Sequence, residues 1–218
     1  MGSLSRNTLV SISNLAQVLE AIGRRDEAAT ETDTQLEDAA RDQLLEEAAA
    51  KMDEAEELYR EAAGGYRTQL GVKNPATLSS INNLAVMLQA RGRLDEVETL
   101  LREVLEVHRE MLGPRNRSTL TSINNLAVLL KARKRLKEAE PLYREALDGY
   151  RETLGDRNVN TLTSMSNLAV LLELGGSLEE AEQLYRGALD GFREVCGPNT
   201  RQHRDALRWL KAVQEKIE

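Results

Sequence analysis

Apolar residues between positions 119 and 155 fall three and four apart in two successive stripes. Leu120, Ile123, Leu126, Ala127 and Leu130 make the first; Ala139, Leu142, Tyr143, Ala146, Leu147 and Tyr150 make the second. That spacing gathers side chains on one face of a helix with 3.6 residues per turn. A polar Lys134-Arg135 step divides the stripes, with Gly92-Arg93 and Gly176-Ser177 at the matching places elsewhere. The pattern predicts an antiparallel pair: helix A after Asn116, and helix B from about Leu136 to Leu154.

The pair recurs at an offset of 42 residues: Thr77, Thr119 and Thr161 each open a Thr-Leu step, and Asn83-Leu84-Ala85, Asn125-Leu126-Ala127 and Asn167-Leu168-Ala169 follow. A fixed period of this length marks a stacked repeat. Asn74, Asn116, Asn158 and Thr200 stand where helix A begins, and each suits an N-cap that satisfies an orphan amide. Pro75 fits the first helical position, where its missing amide hydrogen is not needed. Gly71, Gly113, Gly155 and Gly197 suit the left-handed residue that ends helix B. Pro141 comes early in helix B, where a lost hydrogen bond costs little. Ala85, Ala127 and Ala169 are small enough to let a partner helix approach.

The N-terminus departs from this register. Thr8 to Ala16 reads as a helix A, yet the matching helix B, from Met52, comes 27 residues late. Either residues 29–51 are inserted and helix B is one long helix reaching Leu70, or residues 33–50 form a degenerate helix A turning at Lys51-Met52. Thr32 and Ala48 keep the register of Asn74 and Ala90, which favours the second reading. Asp42, at the register of the apolar Leu84, speaks against it. The expected divisions are 1–34 as the start of the array and 35–73 as an irregular first repeat. Regular repeats follow at 74–115, 116–157 and 158–199, with a capping helix at 200–218, all in one domain. Leu207, Leu210, Val213 and Ile217 form the capping stripe, and Trp209 is expected to pack there.

Composition narrows the function classes. A formal charge of −7 argues against a general nucleic-acid binder, which needs a basic face. One cysteine, Cys196, forms no internal disulfide. No apolar run nears the ~20 residues that cross a bilayer, and no secretory segment is evident, so a cytoplasmic protein with no membrane partner is expected.

A period in the forties also fits HEAT and armadillo units, so spacing alone does not choose between them. The residues do. Asn-Leu-Ala in helix A, then Ala139, Tyr143 and Ala146 in helix B, resembles the tetratricopeptide signature. The wording TLxSxNNLAxLLxxxxRxxEAExLYREAL is similar to the kinesin-light-chain class of that repeat over nearly all of residues 53–197. The resemblance implies an all-α, right-handed superhelical solenoid of antiparallel helix pairs, capped at its C-terminus. It also implies a concave groove lined by the A helices, for protein partners and without cofactors.

Carried over position by position, the groove-facing residues are Ser79, Thr121 and Thr163; Asn82, Asn124 and Ser166; Asn83, Asn125 and Asn167; Val86, Val128 and Val170; and Gln89, Lys131 and Glu173. Peptide contacts are expected above all from Asn82, Asn83, Asn124, Asn125, Asn167, Thr121, Val86, Val128 and Lys131. A row of amides, each with two donors and an acceptor, can bond a peptide backbone. Alternatively, the asparagines tie neighbouring helices together. Lys131, Arg133, Lys134, Arg135 and Lys137 form a basic run that reads as a solvated turn or as a lure for an acidic peptide.

Catalysis finds no motif. His108 shares the register of Tyr66, Tyr150 and Phe192 and reads as structural; His203 reads as a surface residue. The five tyrosines follow the repeat and read as core. A non-catalytic interaction scaffold is therefore expected. The alternative is a self-assembling solenoid that pairs through residues 29–52, where Leu36, Ala40, Leu44, Leu45 and Ala48 make a stripe.

Overall fold

The computed structural model describes residues 5–32 and 38–217, and among these it contains nine α-helices and no strand. They are α1 (Arg6–Thr32), α2 (Asp38–Leu70), α3 (Pro75–Ala90), α4 (Leu94–Leu112), α5 (Arg117–Ala132), α6 (Leu136–Leu154), α7 (Val159–Leu174), α8 (Leu178–Cys196) and α9 (Arg201–Ile217). The chain forms two compact units, Met1–Leu100 and Leu101–Glu218, dividing within α4. In the first, α1 packs on α2 and α2 on α3; in the second, α5 packs on α6, α6 on α7, α7 on α8 and α8 on α9.

The predicted caps set the helix starts. The side chains of Asn74, Asn116 and Asn158 accept from the amides of Ala76, Ser118 and Asn160, each at 2.9 Å. The recurrent threonine closes the turn before each A helix. Thr77, Thr119 and Thr161 are buried and donate to the carbonyls of Gly71, Gly113 and Gly155 at 2.7–2.8 Å. The core is the expected one: Ile81, Leu120, Ile123, Leu126, Leu162 and Leu168 are buried, as are all five tyrosines.

At Lys51-Met52, where the degenerate repeat would turn, α2 runs on unbroken. Residues 38–63 contain neither Gly nor Pro, and Ala and Glu favour continued helix, so nothing there stops it. The degenerate-repeat reading is therefore corrected to one long helix reaching Leu70. The step from α1 to α2 falls on residues 33–37, outside the described residues. Leu36 of the expected pairing stripe lies there too, and Ala48 is buried.

At the cap, Ala206, Leu210 and Val213 are buried while Ile217 is exposed, so the stripe ends a turn earlier than expected. Trp209 lies against Tyr185, ring centroids 6.0 Å apart. His203 is half-buried with Nδ1 out of solvent, which corrects its reading as a surface residue.

The A-to-B turn requires one left-handed residue. Gly92 and Gly176 supply it at φ 70° and 86°, but Lys134 holds φ 59° with a side chain attached. An L-residue there costs roughly 1–2 kcal/mol, and glycine's extra chain entropy offsets about 0.5–1 kcal/mol. Lys134→Gly is expected to stabilise the chain by about 0.5–1 kcal/mol. Chemical denaturation checks this; an unchanged or lower midpoint contradicts it.

Candidate functional site

In the second unit, α5 and α7 carry the predicted contact residues on neighbouring helices. The Asn167 side-chain amide donates to Asn124 Oδ1 at 3.1 Å, so this pair does tie two A helices together. The bond uses one donor and one acceptor. No described residue bonds Asn124 Nδ2 or Asn167 Oδ1, and Asn125 is exposed. Val128 is half-buried beside them in sequence register.

Thr121 is exposed, but its hydroxyl meets Tyr150 Oη at 3.0 Å and the Arg117 carbonyl at 2.9 Å. Its hydrogen-bonding capacity is largely used internally. Ser166 corrects the resemblance-based assignment. It is buried, and its short side chain turns back to donate to the Leu162 carbonyl at 3.1 Å. In the first unit, α3 holds Asn82 and Asn83 half-buried and Val86 exposed.

Lys131 ends the α5 stripe. It is half-buried, its ammonium 6.0 Å from the centre of the Tyr143 ring, and burial holds its pKa below the usual lysine range. The rest of the basic run is mostly turn. Arg133 caps α5, and Arg135 makes a two-pronged bond to Glu138 at 2.7 Å on each oxygen. That pairing draws Glu138 below the ordinary carboxylate range. Glu173, the third-repeat counterpart of Lys131, accepts from Tyr185 Oη at 2.9 Å and from Lys216 Nζ at 2.6 Å. His108 sits with Nδ1 2.8 Å from Ser122 Oγ, and burial lowers its pKa.

Sequence reading missed two sets of residues. One is a ladder of ion pairs between successive B helices: Arg60 to Glu96 at 2.7 Å and Arg144 to Glu180 at 2.8 Å. Exposed pairs of this kind contribute little individually. The other is Gly149 and Gly191 in mid-helix, where an added Cβ would overlap Leu120 and Leu162 across the hairpin. Their signal was the recurrence of Asp-Gly before an aromatic at Tyr150 and Phe192.

Among the described residues no cluster of His, Cys, Asp and Glu could hold a metal, and no helix is long and apolar enough to cross a membrane. What the fold defines is an all-α helical repeat solenoid, a scaffold with recurring faces.

Family profiles of the tetratricopeptide repeat match residues 117–194 and 77–117. BtubC (BKLC) from P. vanneervenii superposes with a TM-score of 0.69 at 21% identity, over 96% of this chain and 82% of its own. A putative kinesin light chain of Podosopora anserina with nearly identical TPR-like repeats, in its Q17M form, gives 0.70 at 20%, over 94% and 86%. The apo form of RapI gives 0.67 at 13%, over 98% and 62%. At these identities the likeness is one of fold. No curated protein matches the sequence. The chain is a tetratricopeptide repeat protein, with the repeats matched over residues 77–194, and its likeness to the kinesin light chain structures is one of fold. Such repeats serve protein–protein interaction and are typically non-catalytic.

Proposed function

We propose that the chain is a non-catalytic scaffold that holds an extended, acidic segment of a protein partner. The face used in the second unit is that of α5 and α7, with Asn124, Asn125, Asn167, Val128 and Lys131 as its contacts. The observation that carries this reading is the unspent capacity of Asn124 Nδ2, Asn167 Oδ1 and the exposed Asn125 amide on one face. A peptide backbone alternates donors and acceptors and can fill all of them. Thr121 adds shape rather than bonds. Asn82, Asn83 and Val86 give α3 of the first unit the same positions.

Micromolar affinity, about −8 kcal/mol, suits such a surface. A peptide-library screen at low salt, followed by titration of the selected peptides, tests the reading. Each lost amide bond is worth about 0.5–1.5 kcal/mol, so Asn124→Ala with Asn125→Ala is expected to weaken binding roughly tenfold. Unchanged binding of every selected peptide would reject this face.

A second reading, self-association, draws on one feature of the first unit. With Thr8-Leu9 aligned to Thr77-Leu78, Leu15 and Val18 take the registers of Leu84 and Met87. Those two are buried, at 7% and 0%, whereas Leu15 and Val18 are 48% and 54% exposed. A second copy covering α1 would shield them. Sedimentation at high concentration decides; a strict monomer removes this reading.

A further inference from the structure

Tyr59, Tyr143 and Tyr185 share one register on the B helices, and all three are buried. In the three hairpins that carry such a tyrosine the facing register on helix A holds Glu20, Lys131 and Glu173, while α3 has Gln89 there. In two hairpins the phenol donates to the acid: Tyr59 Oη to Glu20 Oε2 at 2.8 Å, and Tyr185 Oη to Glu173 Oε2 at 2.9 Å. A cation then takes the other carboxylate oxygen, Arg24 on Glu20 and Lys216 on Glu173. The same three-part arrangement is thus built twice: phenol, carboxylate, cation.

Between α5 and α6 the arrangement lacks its middle member. Tyr143 Oη is out of solvent and has no hydrogen-bond partner. Lys131 stands over the ring, half-buried, with no carboxylate of the described residues at ion-pair distance. Two acids of the same unit are already engaged. Glu173 is held by Tyr185 and Lys216, and Glu140 by Arg144 at 2.9–3.0 Å. A buried donor without an acceptor and a desolvated ammonium without a counter-ion are both unfavourable. One anion with two oxygens relieves both.

We propose that Lys131 and Tyr143 form a recognition site for a single carboxylate of the bound peptide, an Asp or Glu side chain. One oxygen accepts from Tyr143 Oη and the other faces Lys131 Nζ, as Glu173 does between Tyr185 and Lys216. The four-carbon lysine stem swings off the ring to admit the acid. This assignment rests on the peptide-binding reading and supplies the position at which acidity is read.

The test has two arms. In the first, an array of uncharged peptides each carrying one Glu, beside copies with Gln, is measured against wild type, Tyr143→Phe and Lys131→Met, each peptide with free and with amidated C-terminus. Wild type is expected to prefer Glu over Gln by roughly tenfold, the size of one charge-assisted bond. Tyr143→Phe shrinks that ratio and Lys131→Met removes it, while amidation leaves it unchanged. A Glu/Gln ratio unaltered in Tyr143→Phe overturns the site, and a ratio that vanishes on amidation overturns the side-chain assignment.

The second arm needs no ligand. Lys131→Glu installs the missing acid on the chain itself and is expected to raise the melting temperature above that of Lys131→Met by roughly 2–4 °C. If no peptide binds but Lys131→Glu is the more stable, the peptide-binding reading fails while the geometry stands. If Lys131→Glu is no more stable than Lys131→Met, the geometry itself fails.

Discussion

Leu126→Ala is expected to lower the free energy of unfolding by about 2–5 kcal/mol, the range for removing a buried leucine side chain and leaving a cavity. Leu126 is 1% exposed on α5, with Ile123, Ala127 and Leu130 of the same stripe buried beside it. Its close-packed surroundings limit collapse into the void, which places the effect within that range rather than near zero. Denaturant titration measures it. A midpoint equal to wild type would mean that the 42-residue register had been read wrongly. Leu174→Ala is the contrasting case. That leucine is 62% exposed on α7, and its truncation should change stability little.

Gly149→Ala is expected to cost about 1–3 kcal/mol, the usual penalty for overfilling a packed core. Here the sign is informative. Helix propensity alone predicts the opposite, a gain of about 0.5–1 kcal/mol, because glycine in mid-helix is unfavourable relative to alanine. The new Cβ would overlap Leu120 Cδ2, and Leu120 is itself fully buried. Gly64→Ala in α2 is the control, since a Cβ there meets nothing within 4 Å and should give the gain. In a Leu120→Ala background the penalty at position 149 should vanish, a coupling between touching residues that a double-mutant cycle isolates. A stabilising Gly149→Ala in the wild-type background would show that α5 and α6 do not approach so closely.

These two residues also mark how far the sequence could be read. Leu126 was legible because burial repeats along a helix every three or four positions, and the repeat showed it three times over. The helix ends were legible for a similar reason. Asn116 and Gly155 have local jobs, a cap and a left-handed turn, that need no knowledge of the rest of the chain. Gly149 was legible only through its recurrence with Gly191 in Asp-Gly-aromatic, because its reason lies across the hairpin in Leu120 and nothing local distinguishes a tolerated glycine from a required one.

The irregular start was hidden for another reason. No Gly or Pro interrupts residues 25–63, so composition promises helix without fixing where it breaks. Register favoured a turn at Lys51-Met52, but keeping helix through that point costs nothing, and α2 continues. At the candidate site the sequence offered the asparagines as a row without saying which groups were spent. Only the placement of α7 beside α5 shows Asn167 bonded to Asn124 and Ser166 turned inward. The tyrosine–acid pairing was equally out of reach. Tyr185 follows Glu173 by 12 residues, but Tyr59 follows Glu20 by 39, and that each phenol meets its acid shows only in space.

The most direct measurement of the binding face is amide hydrogen exchange of the full chain, with and without a library-selected acidic peptide. Added protection is expected in α5 and α7, concentrated around Asn124, Asn125, Val128, Lys131 and Asn167. Protection confined to α6 and α8, with α5 and α7 unchanged, would contradict the account.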